Sequence, residues 1–152
     1  MGSYIHAKSI YDQKEDIVGM ICYEMIGYFS DEPGSQTFPV PELAKIYPDT
    51  GNYIVVVGIE KCKTFNETIH RLMSEQSGMN VEKIVFPDGS GLAGRSDQRN
   101  YWEFEYDAVM ISDTSFLRNP NYHKETDTIE TLDFEKMTEV VNGCYHAATK
   151  LE

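Results

Sequence analysis

The run Tyr53-Ile-Val-Val-Val-Gly-Ile59 carries no charged side chain, and most of its residues are β-branched. Such a run suits a strand covered on both faces, because neither side offers a polar residue to water. It is also far short of the ~20 apolar residues that cross a membrane. A chain built on it needs apolar layers above and below a sheet, and the remaining residues supply them. Ile17-Val-Gly-Met-Ile-Cys-Tyr23, Lys83-Ile-Val-Phe86 and Ala108-Val-Met-Ile-Ser112 read as three further strands.

Helical patterns alternate with these runs. Thr64 and Glu67 form a capping-box pattern ahead of the stripe Phe65, Ile69, Leu72 and Met73, with Gly78 as the stop. A last helix opens at Asp133, with Phe134, Met137, Val140, Val141, Cys144 and Ala148 as its inner face. Strands alternating with helices predict an α/β fold, a three-layer sandwich with a mostly parallel or mixed sheet, as a single domain over 1–150. Residues 30–52 hold four prolines and few element signals, a long excursion of the kind that serves function or stays disordered. Residues 1–16 have no helix-opening signal, and Leu151-Glu152 reads as a cloning scar.

Composition excludes several classes. Thirteen Lys and Arg against 25 Asp and Glu give a net charge of -12, so there is no cationic footprint for nucleic acid or an anionic membrane. Three widely spaced cysteines without a CxxC pair argue against a thiolate zinc site or a disulfide framework. No transmembrane run or signal-peptide core is visible, and the sequence leaves the compartment undetermined.

Three constellations bear on chemistry. Gly89-Ser-Gly-Leu-Ala-Gly94 has the spacing of a dinucleotide loop, with Asp113 about 20 residues on, but the charged stretch behind it suits a loop better than a phosphate-binding helix. Ser96-Asp97 opens a short aromatic segment around Tyr101, Trp102 and Phe104. Glu24 and His123 each lie just beyond an apolar run, and a carboxylate so placed must be paired, protonated or on a metal. Their oxygen and nitrogen donors suit zinc or a similar ion, with Asp97 and Asp127 able to accept hydrogen bonds from ligating groups.

Taken in order, Tyr23-Glu-Met-Ile-Gly-Tyr28, Ser96-Asp97, Tyr106-Asp-Ala-Val-Met-Ile-Ser-Asp-Thr114, Arg118-Asn-Pro-Asn-Tyr-His123, Thr126-Asp-Thr128 and Thr131-Leu-Asp133 resemble the di-zinc aminopeptidases of metallopeptidase family 28. The resemblance spans most of residues 17–141. It implies a three-layer α/β fold in which two zinc ions and a general-base glutamate hydrolyse N-terminal peptide bonds. By position, Glu24 would ligate one ion and His123 the other, with Asp97, Tyr122 and Asp127 on the supporting or substrate side.

The departures are equally specific. The family's first histidine, its bridging aspartate and its Glu-Glu pair have no counterpart, and Ser96-Asp-Gln98 replaces the common Ser-Asp-His. The expectation is therefore an incomplete zinc-peptidase domain, the C-terminal part of an aminopeptidase. It should be inactive alone, with partial or no zinc occupancy, and peptide would be the substrate of the complete enzyme. Exposed sheet surface predicts self-association or strand exchange. The rivals are a non-catalytic binding or assembly module on the same scaffold and a nucleotide-binding domain.

Overall fold

The computed structural model describes residues 2–151; Met1 and Glu152, with the start of the chain and half of the supposed cloning scar, lie outside them. The elements run α1 (Gly2–Gln13), β1 (Met20–Tyr23), β2 (Tyr53–Ile59), α2 (Lys63–Gln76), β3 (Asn80–Phe86), α3 (Gln98–Trp102), β4 (Ala108–Ser112) and α4 (Phe134–Lys150). One mixed sheet has the order β1-β4-β2-β3. β1 runs parallel to β4 and β3 parallel to β2, while β4 and β2 are antiparallel, with Val55 opposite Ser112. The C-terminal ends of β1 and β4 thus meet the N-terminal end of β2, and that end carries the candidate site.

The expected α/β architecture with a mixed sheet is the one found, and β2 shows why. All seven of its residues are buried. Tyr53, Val55, Val57 and Ile59 pack with Ala7, Ile10, Tyr101 and Trp102 of α1 and α3. Ile54 and Val56 pack with Phe65, Ile69, Met73, Val140 and Cys144 of α2 and α4. Each buried Val or Ile contributes roughly 1.5–3 kcal/mol of transfer free energy, and this central strand collects it from both layers. No helix is long and apolar enough to cross a membrane among the described residues.

Several local readings are corrected. β1 begins at Met20 rather than Ile17 and lies at the sheet edge, with Tyr23 exposed. The Thr64/Glu67 capping box does not form: the first helical turn starts at Lys63, after a 3-10 turn over Glu60–Cys62, and no side chain caps it. That turn leads straight into the helix, so the amides are already committed to backbone partners. α2 ends at Gln76, and the Gly78 N–H instead donates to the Glu139 carboxylate at 2.8 Å.

α4 opens at Asp133, whose carboxylate accepts from the Lys136 N–H. Its buried stripe is Val140, Gly143, Cys144 and Ala147, whereas Phe134, Val141 and Ala148 face water. Close approach to α2 causes this rotation, since a Cβ on Gly143 would lie 3.3 Å from the Met73 carbonyl oxygen. Residues 2–13 are helical despite lacking an opening signal, because Ala7 and Ile10 are buried against the sheet layer.

Candidate functional site

Beyond Tyr23 the chain turns sharply. Met25 has φ 55, and its carbonyl accepts from the Asp113 N–H at 2.7 Å. Asp113 follows β4 directly and is 1% exposed. Its Oδ2 accepts from the N–H groups of Gly27 at 3.1 Å and Tyr28 at 2.8 Å, and its Oδ1 from Ser115 at 2.9 Å. One carboxylate therefore ties the segment after β1 to the segment after β4. Burial pushes the Asp113 carboxyl up to about 6, against the lowering effect of those backbone donors and of nearby Arg118. Gly27 packs closely under α4, where a Cβ would sit 2.7 Å from the Met137 sulfur and oblige that side chain to shift.

Thr114 and Ser115 follow with φ 75 and 55. A β-branched residue in the left-handed region is costly, by about 1–3 kcal/mol, and persists only where neighbours over-determine it. The neighbours are visible. The Thr114 hydroxyl exchanges hydrogen bonds with the Gln36 amide, and Arg118 Nε donates to Gln36 Oε1 at 2.8 Å. Arg118 is 5% exposed, donates through Nη1 to the Tyr53 carbonyl, and lies 4.7 Å over the Tyr53 ring. Its stem passes so close to Gly51 that a Cβ there would come within 2.8 Å of it. The excursion over 30–52 is thereby pinned to the sheet end rather than left loose.

The pinned excursion roofs a cavity of about 250 Å³. Tyr53, Val55, Val57, Ile84, Phe86 and Met110 form its floor, Phe38, Leu43 and Tyr47 its roof, and Phe116, Leu117 and Tyr122 one wall. Glu24 and Arg95 are its only charged lining residues among the described residues. Ser96 Oγ donates to Glu24 Oε2 at 2.5 Å, and the Cys22 sulfur lies 3.5 Å from the same hydroxyl. With its one proton directed at the carboxylate, Ser96 has only an acceptor to offer the thiol.

The other named residues divide. Tyr122 lines the cavity, and His123 stacks on it with ring centroids 3.9 Å apart and an interplanar angle of 15°. His123 has φ 58 and is exposed. Asp97 accepts from the Ser3 hydroxyl at 2.7 Å, and Asp127 from the Asn119 amide at 3.1 Å. No three His, Cys, Asp or Glu side chains converge into a metal-ligating group among the described residues. These residues alone do not fit a complete zinc centre.

The glycine loop lacks the partner a pyrophosphate needs. The helix after it, α3, has only five residues, and the N–H groups of Arg99 and Asn100 already donate to Ser96 and Asp97 carbonyls. Sequence reasoning assigned no role to Asp113 beyond its distance from that loop, and none to Arg118, Gln36 or Arg95. For Asp113 a usable signal existed, because an acid directly behind the apolar run Ala108–Ser112 faces the same burial constraint as Glu24. For Gln36, inside a proline-rich excursion, there was none.

No family model matches the sequence. The chain is 39% identical over 144 residues to YfbL of Escherichia coli strain K12, an uncharacterized protein, spanning 94% of this chain and 43% of that one. Among solved structures, Legionella pneumophila LapA superimposes with a TM-score of 0.71 at 19% identity, covering 99% of this chain and 36% of LapA. A second LapA structure, described as an aminopeptidase, gives a TM-score of 0.66 at 19% identity over 99% of this chain and 37% of that one. LapB from the same organism gives 0.60 at 17% identity over 96% and 34%. The chain therefore spans less than half the length of the relatives it matches, and it shares with LapA and LapB a peptidase-like fold.

Proposed function

We propose that this chain is the C-terminal part of a zinc aminopeptidase of metallopeptidase family 28, contributing part of a di-zinc site and a wall of the substrate cavity. The observation that carries the reading is the common cavity at the sheet end, lined by both Glu24 and Tyr122, in a fold like that of LapA. Glu24 and His123 would each ligate one ion. Bound zinc would polarise a scissile carbonyl and activate water. The chain's own residues do the rest: Ser96 orients the Glu24 carboxylate, Asp113 fixes the turn behind it, and the cavity accepts an apolar side chain.

Without a bridging aspartate and a base, the chain alone has no hydrolytic activity on this reading. The test is zinc content together with hydrolysis of a chromogenic leucine anilide. Near-stoichiometric zinc with measurable turnover by the 152-residue chain would overturn the inactivity. The ligand assignment is tested by exchanging the matched segment of YfbL for this chain and measuring retained zinc. Loss of zinc on Glu24→Ala and on His123→Ala supports it; retention in both refutes it. A non-catalytic module on the same scaffold is the second reading, and the lack of a three-ligand cluster among the described residues suits both. Peptide binding without zinc-dependent turnover in the exchanged protein would select it.

A further inference from the structure

Arg95 and Glu24 line the same cavity, yet they do not neutralise each other. Ser96, next to Arg95 in the chain, engages Glu24, while the Arg95 side chain turns away to lie 4.9 Å over the Phe116 ring. None of the ion pairs among the described residues involves Arg95. A guanidinium on the lip of an apolar cavity, in a chain of net charge -12, is conspicuous on charge grounds alone. The net negative charge repels anions in general, so only a ligand that also fills the cavity gains enough to bring a carboxylate there. The fork of N–H donors matches a carboxylate in geometry, and although Arg95 is exposed, a ligand seated in the apolar cavity beside it would displace part of the screening water.

We infer that Arg95 is a specificity-determining residue that receives the carboxylate of a short peptide ligand whose apolar side chain fills the cavity. The inference rests on the peptide reading above and narrows it to ligands carrying a negative charge within one or two residues of the apolar side chain. That charge is either the C-terminal carboxylate of a di- or tripeptide or an acidic side chain. An arginine that merely covers Phe116 would contribute a cation–π contact of about 0.5–1 kcal/mol and read no carboxylate.

The two roles separate by calorimetric titration of the whole chain with Leu-Gly, Leu-Gly-amide and Leu-Glu-amide. The expected result is that Leu-Gly binds at least about tenfold more tightly than Leu-Gly-amide, the usual range for a charge-assisted hydrogen bond. Arg95→Ala should abolish the difference between Leu-Gly and Leu-Gly-amide, whatever the affinity of the amide for that variant, and Arg95→Lys should restore part of it. Tight Leu-Glu-amide binding would show that a side-chain carboxylate is also read, and weak binding that only the C-terminus is. Equal binding of Leu-Gly and its amide to the wild type, or a preference that survives Arg95→Ala, overturns the inference while leaving the peptide reading intact. Failure of all three peptides to bind the wild type also overturns the inference. Arg95 is exposed, so circular dichroism of the variants should be unchanged.

Discussion

Ser96 Oγ donates to Glu24 Oε2 at 2.5 Å, across 72 residues of sequence. The bond joins the loop before α3 to the exit of β1 and fixes one carboxylate oxygen at the cavity. Ser96→Ala should cost about 1.5–3 kcal/mol, because a part-buried carboxylate loses a charge-assisted donor. Ser96→Thr should recover most of it. Urea denaturation of the three proteins checks this, and equal midpoints would show that the bond contributes nothing net.

Asp113 should make stability fall as pH rises. Its carboxyl titrates near 6 in the folded chain against an ordinary value of 3.8, so the folded state holds the proton more tightly between these values. Stability then decreases from about pH 4 to pH 6 and levels off above, with a total on the order of 3 kcal/mol. Asp113→Asn should flatten that slope. Thermal unfolding at half-unit pH steps measures it, and an unchanged slope would assign the titration elsewhere.

Arg118→Met should release the excursion over 30–52. The substitution removes the Arg118 donors to Gln36 Oε1, which keeps the Thr114 hydroxyl, and to the Tyr53 carbonyl, at a cost of about 1.5–3 kcal/mol. Hydrogen exchange should rise at Gln36 and Thr37, whose N–H groups donate to Asp49 and Leu117. Exchange confined to α1 instead would contradict this anchoring role.

We propose that β1 is an association edge. Met20 and Glu24 donate toward β4, so by ladder alternation the backbone groups of Ile21 and Tyr23 point off the open side. Val18 and Tyr23 are exposed beside it. Light scattering should find dimers or larger species at micromolar concentration, with Ile21 and Tyr23 amides protected from exchange. Salt should favour them by screening the net charge of -12. A monomer at all concentrations, with both amides unprotected, removes the proposal.

What the sequence by itself determined was whatever local pattern suffices to fix. β2 and β4 have the bounds their apolar runs gave, and Asp133 caps α4, because burial on both faces and a single side-chain bond are local facts. Glu24 likewise called for a partner by its position alone. Tertiary structure decided the rest. It rotated the α4 stripe so that α2 could approach Gly143, and it made residues 2–13 a helix by burying Ala7 and Ile10. It also brought Ser96, Asp113 and Gln36 to one end of a sheet whose strand direction reverses between β4 and β2. Pairings across 70 to 90 residues leave no periodicity to read, so the partner of Glu24 emerged only when the strands were placed.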